Sequence, residues 1–381
     1  MNSSLKLQAE LFGLFLFSLV FLHKKIRDLA MGNKHLQDPH SKPMRNSSID
    51  MVRGIAMCGI ILIHVHSYFS YFKVEDSILF ISGSIANLSR FSVPVFILTS
   101  GIFISYKGNL NFWKSRLTQL VIPYSLFGLV GFLIKYPISD GWIFEFLKKF
   151  FLGTIYEPYY YIPLLFQFYL LYALFFKHSN AWSISQKWAY FLCFLIINLI
   201  SNQFFPTGGN WQFIEPLVFT NFLFFFVFGL IAKPILSEST ELLGLFSDKK
   251  IKLTLYFTTI LYVVYLILLT FTTGTGFSNH LIFYPIVCFL LLFYGCIVLE
   301  KNSSSFSKII VSILSYIGKN SLFVFLVHPI LIHLLHAYHP YTFGGKFLSY
   351  FVIFILNLII PLGVGEMYNQ IQKSFLALKQ K

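Results

Sequence analysis

Two ionisable residues, Arg53 and His64, lie inside one long apolar segment of this 381-residue chain. At 100° per residue, a helix would carry both on nearly the same face, three turns apart. The rise of about 1.5 Å per residue separates them by roughly 16 Å, about half of a hydrocarbon core of ~30 Å. With Arg53 at one interface, His64 would lie near the midplane. Ionisable groups there are costly and usually functional, so the pair indicates chemistry inside a membrane.

A second arginine, Arg90, lies inside the next apolar segment, shortly before Pro94. An arginine near the bilayer centre costs roughly 2.5–3.5 kcal/mol on insertion scales, so Arg90 is expected to face a wet cavity or an anionic group. The alternative is that Arg90 bonds backbone carbonyls freed at a kink near Pro94. For His64, the alternative is a core histidine satisfied by a neighbour, whereas a catalytic role would use the neutral imidazole as a base.

Two further residues are candidates for the same site. His328 precedes Pro329 in a later apolar segment and also falls near mid-depth. Proline frees a backbone carbonyl one turn back, so His328 serves either in chemistry or in capping that kink. Ser100, beside Gly101, contributes either to a binding site or to close helix approach, which small residues allow. No metal-ligand spacing, Ser-His-Asp order or pair of catalytic carboxylates is recognisable in the sequence.

The composition is typical of a membrane protein. Of the 381 residues, 56% are hydrophobic and only 12% are charged, whereas soluble domains carry about 25% charged residues. The apolar runs are longer than barrel strands of roughly 9–11 residues. We therefore predict an all-α, polytopic membrane protein with about ten transmembrane helices. In chain order, the predicted spans are 52–72, 78–106, 117–134, 159–176, 188–205, 217–236, 253–272, 281–299, 320–337 and 347–365.

The basic residues predict the orientation of these spans. The net charge is +14, but the positive charges flank apolar segments, which indicates membrane topology rather than nucleic-acid binding. The loops on one side hold 22 Lys and Arg residues, against five on the other side. Because basic loops stay in the cytoplasm, both ends of the membrane core are expected to be cytoplasmic. Arg53, Lys114 and Arg116 then lie at the cytoplasmic face, where they suit the phosphates of a cytoplasmic donor.

The chain divides into three predicted regions. Residues 1–46 form an N-terminal extension with a short apolar segment at 11–22 and a polar linker. Residues 47–370 form the transmembrane domain, and residues 371–381 form a cytoplasmic tail. The long second span, with Pro94 and a Ser82-Gly83-Ser84 run, is expected to be kinked or broken. The tyrosines at 159–161 fall at an exterior interface, where an aromatic belt is expected.

Several short motifs, in order between residues 48 and 365, resemble the acyltransferase 3 family of integral membrane acyltransferases. They are Asp50 with Arg53-Gly54-Ile55-Ala56 and His64, Val93-Pro94-Val95-Phe96 with Ser100-Gly101, Arg116 with Ile122-Pro123-Tyr124, and Ser321-Leu322-Phe323 with Leu326-Val327-His328-Pro329. Within this family, the chain is most similar to the intercellular-adhesin biosynthesis protein C group. Its tyrosine-rich fourth span departs from the Trp-Phe motif of the commoner members, which leaves the acceptor open.

The resemblance implies transfer of an acyl group, acetyl or succinyl, from cytoplasmic acyl-CoA to a hydroxyl of a surface glycan. Acyl-CoA would be a donor substrate, and no permanently bound cofactor or metal is implied. His64 would act as the base or carry the acyl group briefly, and Arg90 would orient it or stabilise the oxyanion. Arg53, Lys114 and Arg116 would hold the CoA phosphates. The expected partners are the glycan, its synthase machinery and the bilayer of the cytoplasmic membrane.

Two readings from other functional classes stay open at the level of the sequence. A polysaccharide exporter or flippase would move a glycan without any dependence on acyl-CoA, although no matched pair of interrupted helices typical of inverted repeats is visible. A receptor or assembly scaffold would use the histidines and arginines within the membrane only to fix helix packing. When the relevant residues are changed, an acyltransferase loses the acyl groups of the polymer and an exporter loses the surface polymer itself. A scaffold loses stability.

Overall fold

The computed structural model of the protein describes residues 47–72, 76–106, 108–204, 217–236, 282–338 and 346–378, with single helical positions at 253, 257, 260 and 264. These parts of the chain are helical and contain no β-strand. The all-α prediction is confirmed. The predicted N-terminal extension, most of the predicted span 253–272 and the last residues of the predicted tail lie outside the described residues.

The described residues form α-helices that are numbered in chain order. They are α1 (Ser47–Tyr71), α2 (Asp76–Leu88), α3 (Ser92–Phe103), α4 (Asn109–Arg116), α5 (Ile122–Lys135), α6 (Trp142–Leu152), α7 (Tyr161–Leu171), α8 (Ile184–Phe204), α9 (Leu223–Leu236), α10 (Phe283–Lys301), α11 (Ser305–Lys319), α12 (Ser321–Tyr338) and α13 (Lys346–Leu378). A tight 3₁₀ turn at Ser89–Phe91 joins α2 to α3, and another at Glu157–Tyr160 leads into α7. A wider π turn at Leu117–Val121 joins α4 to α5.

Seven helical segments in the described chain are long and apolar enough to cross a membrane. They are Ser47–Tyr71, Ser77–Phe103, Asn109–Lys135, Glu157–Phe176, Ile184–Ser201, Tyr284–Lys301 and Phe347–Ser374. A shorter apolar helix covers Leu223–Pro234, and α11 with α12 form a bent pair that passes the same test together. The protein is therefore a multi-pass membrane protein, as the composition predicts.

The bent pair corrects one predicted span. The range 320–337 was expected to cross alone, but α11 runs up to it and the two helices meet at an angle of 73°. The hydropathy pattern misses α11 because serine and lysine residues interrupt its apolar positions. Its start is marked by Ser304, whose side chain accepts a hydrogen bond from the backbone N–H of Ser307 at 3.1 Å. Helix α6, a short helix between two spans, is likewise not predicted by the hydropathy pattern.

The break in the second span lies between the two expected positions. Neither the Ser82-Gly83-Ser84 run nor Pro94 interrupts the helix, because the 3₁₀ turn falls at Ser89–Phe91. Pro94 lies in the first turn of α3, where its missing N–H has no helical partner to lose. The turn itself carries Arg90, so the break positions the arginine within the membrane.

Helix α1 packs against α2, α3, α10, α11 and α12 and is buried along most of its length. Its approach to α11 depends on two glycines. A Cβ at Gly54 would overlap the carbonyl oxygen of Leu314, and a Cβ at Gly318 would overlap that of Asp50. Small residues of this kind let helix backbones come together in a membrane. Gly101 and Gly229 bring α3 and α9 together in the same way.

Replacing Gly318 by alanine should destabilise the protein, because the added methyl group would push α11 away from α1. Overpacking of this kind costs roughly 1–3 kcal/mol, and the loss is measured as a lower thermal unfolding midpoint in detergent. Gly295→Ala in α10 is the matched control, since a Cβ there meets nothing within 4 Å. Equal midpoints for the two variants would contradict the close contact of α1 with α11.

Candidate active site

Two histidines from distant parts of the sequence meet inside the protein. His64 on α1 and His328 on α12 lie with their ring centroids 5.3 Å apart and their planes tilted by 42°. His328 is fully buried, whereas His64 is partly exposed. The sequence places each of them near mid-depth, and the fold makes them neighbours.

The hydrogen bonding of His328 defines which ring nitrogen carries its proton. Its Nδ1 lies 2.9 Å from the carbonyl oxygen of Val324, one turn back on α12. Because a carbonyl only accepts, Nδ1 must donate, so Nε2 of the neutral ring keeps a lone pair. Nε2 is buried and has no hydrogen-bond partner among the described residues. The ring therefore bonds a backbone carbonyl one turn back on its own helix and still presents a free acceptor.

Arg90 lies in the Ser89–Phe91 turn, which packs beside Gly59, a position between Arg53 and His64 along α1. From the turn between α2 and α3, its guanidinium is close enough to act electrostatically on His64 and His66. It also interacts electrostatically with Glu157 and Tyr160 in the turn before α7. Glu157 is therefore an acidic side chain within electrostatic range of Arg90. His66 itself bonds Ser82 Oγ through Nδ1 at 2.9 Å, which holds it on a different face from His64.

Arg53 is fixed near the start of α1 by both a hydrogen bond and aromatic rings. Its Nη2 donates to Ser321 Oγ at 3.0 Å, which connects α1 to the first residue of α12. Its guanidinium carbon also lies 5.7 Å from the ring centroid of Phe96 and 5.5 Å from that of Phe103. Such cation–π contacts favour the planar guanidinium over a lysine ammonium.

Arg116 and Arg53 converge on one tyrosine. The guanidinium carbon of Arg116 lies 4.6 Å from the ring centroid of Tyr169 and 5.1 Å from that of Phe112. Both arginines act electrostatically on Tyr169. The fold therefore brings together two of the three predicted cytoplasmic cations. Lys114 lies two positions before Arg116 on α4, faces a different side of that helix and is exposed, so it does not join them in this arrangement.

Ser100 is partly buried and Asp50 is fully buried near this cluster. Ser100 Oγ donates to the carbonyl oxygen of Phe96 at 2.8 Å and lies 3.4 Å from the hydroxyl of Tyr161. Its neighbour Gly101 allows α3 to approach α9 closely. Asp50 lies in the first turn of α1, where a carboxylate is favoured by the helix dipole, and its backbone contacts α11 at Gly318.

Comparison with known proteins gives the family of this chain. The sequence model of a family described as "Acyltransferase domain" matches residues 46–366, which include both histidines and the three arginines of the cluster. The chain belongs to this acyltransferase family. It is accordingly an acyltransferase embedded in a membrane, and the resemblance noted in its motifs is confirmed.

Two curated relatives of this acyltransferase carry the name "Probable poly-beta-1,6-N-acetyl-D-glucosamine export protein". The relative from Staphylococcus aureus is 24% identical over 339 residues, which cover 84% of this chain and 93% of the relative. The relative from Staphylococcus epidermidis is 24% identical over 311 residues, which cover 78% and 84%. No solved structure matches the chain.

Tyr159 and Tyr161 belong to the core of the acyltransferase, which the sequence does not predict. Tyr159 was expected in an aromatic belt, but it is fully buried and donates its hydroxyl proton to the carbonyl oxygen of Leu326 at 2.5 Å. Tyr161 is also buried, and its ring centroid lies 5.3 Å from that of Phe325, which in turn contacts His328. Buried and belt tyrosines look alike in a sequence, so only the packing separates them.

Arg53→Lys should destabilise this acyltransferase more than Ser321→Ala. The lysine loses the planar contacts with Phe96 and Phe103, about 0.5–2 kcal/mol, as well as the geometry of the hydrogen bond. Ser321→Ala loses only that bond, about 0.5–1.5 kcal/mol. Thermal unfolding midpoints in detergent measure both losses. A midpoint for Arg53→Lys equal to that of the unsubstituted protein would contradict the described position of Arg53.

Proposed function

We propose that this protein is a membrane O-acyltransferase of the cell envelope. It moves an acyl group, acetyl or succinyl, from acyl-CoA in the cytoplasm to a hydroxyl of a surface polysaccharide. The family supplies the acyl transfer. The printed names of the relatives, which refer to a polymer of N-acetylglucosamine, support a polysaccharide as the acceptor. They also support the cytoplasmic membrane and the machinery of glycan synthesis as the setting.

One observation carries the proposal: His64 and His328 meet in the interior, and Arg90 acts electrostatically on His64. A hydroxyl must lose its proton as it attacks a thioester, and an imidazole is the side chain most often used for that step. A guanidinium nearby can stabilise the negative charge that develops on the thioester oxygen. A packing role alone does not require three ionisable groups from three helical segments to converge.

In the proposed reaction, His64 is the base and Arg90 stabilises the oxyanion. The hydroxyl oxygen of the glycan forms a bond to the acyl carbon while its proton passes to a ring nitrogen of His64. The bond from that carbon to sulfur breaks, and the CoA thiolate leaves and takes up the proton. Arg90 faces the oxyanion that exists between the two events. Arg53 and Arg116, gathered at Tyr169, hold the phosphates of the donor, for which arginine has suitable geometry.

His64→Gln should abolish acylation of the surface polysaccharide while the protein still inserts and the polymer is still made. Loss of a general base costs about 10²–10⁴-fold in rate. The measurement is the acyl content of polysaccharide isolated from cells that carry each variant in place of the normal gene. His178→Gln is the matched control, because His178 is exposed outside the cluster. Normal acyl content in the His64 variant would overturn the proposed function.

Arg116→Gln should raise the KM for acyl-CoA about tenfold or more, since a charge-assisted phosphate contact is lost. Release of the free CoA thiol by the protein in liposomes, at increasing donor concentration, gives the KM. Lys148→Gln removes one positive charge from an exposed position on α6, on the predicted opposite side of the membrane. It should leave the KM unchanged, and an equal rise in both variants would contradict a donor site at Arg116.

Export of the polysaccharide is the second candidate function, because both relatives are named as probable export proteins. An exporter would lose polymer at the cell surface when the gene is removed, and the polymer that remained would keep its acyl groups. The acyltransferase would lose acyl groups and keep the polymer. Quantifying polymer and acyl groups in the same sample from deleted and restored cells separates the two functions.

A further inference from the structure

His328 has an unusual combination of burial and bonding. Its side chain is fully buried, its Nδ1 proton is held by Val324, and its Nε2 has no hydrogen-bond partner among the described residues. A buried polar atom without a partner costs about 1–3 kcal/mol, so such atoms call for an explanation. A ring that only bonded the backbone of its own helix would need Nδ1 alone.

The explanation is the neighbouring ring of His64 after it has taken up a proton in the reaction. A base that has accepted a proton becomes an imidazolium, and both of its ring nitrogens are then donors. One of them holds the proton taken from the hydroxyl, and the other needs an acceptor. Imidazole nitrogens lie about 1.1 Å from the ring centroid, so a centroid separation of 5.3 Å between His64 and His328 is short enough for one nitrogen of each ring to come within a hydrogen bond of about 3 Å when His64 is protonated.

The charges around His64 make an acceptor at Nε2 of His328 important. Arg90 is the nearby charged group that acts on the ring, and a second positive charge beside it is disfavoured. Tyr160 and Glu157 interact electrostatically with Arg90. A neutral ring whose lone pair is oriented by a hydrogen bond on its far side stabilises the imidazolium without adding a charge.

We propose that His328 is a positioning residue for the base, accepting at Nε2 a hydrogen bond from the protonated ring of His64. The inference rests on the proposed acyl transfer. The proton that His64 takes from the hydroxyl stays on His64 until the CoA thiolate removes it. His328 itself neither gains nor loses a proton, and its role is to orient the base and stabilise its charged form.

Two substitutions separate this role from hydrogen bonding to the helix backbone alone. His328→Asn keeps an N–H donor at the position of Nδ1 but removes the acceptor at the position of Nε2. His328→Gln extends to the position of Nε2 and can present its amide oxygen there, but it lacks the donor at Nδ1. Turnover is measured as release of the CoA thiol by the full-length protein in liposomes, with acetyl-CoA or succinyl-CoA and the purified polysaccharide. Thermal unfolding midpoints are recorded for each variant.

The expected result is a fall in kcat of roughly 10- to 100-fold for His328→Asn, because a hydrogen bond to a charged group is lost. The KM for acyl-CoA and the unfolding midpoint should stay close to those of the unsubstituted protein. His328→Gln should recover a large part of the kcat despite a lower midpoint. Full kcat in the Asn variant, or a lower kcat in the Gln variant than in the Asn variant, would overturn the proposal.

A further comparison covers the case in which His328→Asn fails to fold. His328→Leu has a similar size and no acceptor, so its kcat should lie well below that of His328→Gln, and equal values would overturn the proposal. Failure of the proposed function is distinguishable from these outcomes. In that case the unsubstituted protein itself would release no CoA thiol in the presence of the polysaccharide.

Discussion

The structure depends on the enclosure of α1 by other helices. A hydrocarbon core offers no water to an arginine or a histidine, so such residues persist only where protein surrounds them or a polar cavity is present. Gly54 and Gly318 allow α11 to approach the first turns of α1 closely, and α12 continues from α11 at a sharp angle. The same bend that closes one side of α1 carries His328 to His64.

This enclosure brings the histidine pair together with arginines from three parts of the chain. Arg53 and Arg116 both act electrostatically on Tyr169, whereas Arg90 acts on His64 and interacts with Tyr160 and Glu157. The proposed reaction assigns the first group to the phosphates of the donor and the second to the oxyanion.

The sequence predicts the helical class, most of the spans and the stripe that joins Arg53 to His64, because these depend on local hydropathy and helix periodicity. It does not predict the contact between His64 and His328, which are 264 positions apart, because that contact is made by the packing of α12 on α1. It misses α11, whose serines and lysines interrupt the apolar pattern. It also groups Lys114 with Arg116, although the fold directs only Arg116 to Tyr169. The catalytic and donor-binding roles of these residues stay predictions.

The central claim is that two histidine rings meet inside the protein and that His328 presents a bare Nε2 to His64. Solid-state NMR of the protein in bilayers with isotope-labelled histidine tests it directly, with the signals assigned by loss in the His64→Gln and His328→Gln variants. The account predicts a through-space contact between the two rings and nitrogen shifts of a neutral His328 with its proton on Nδ1. Rings without a contact, or a His328 with its proton on Nε2, would contradict it.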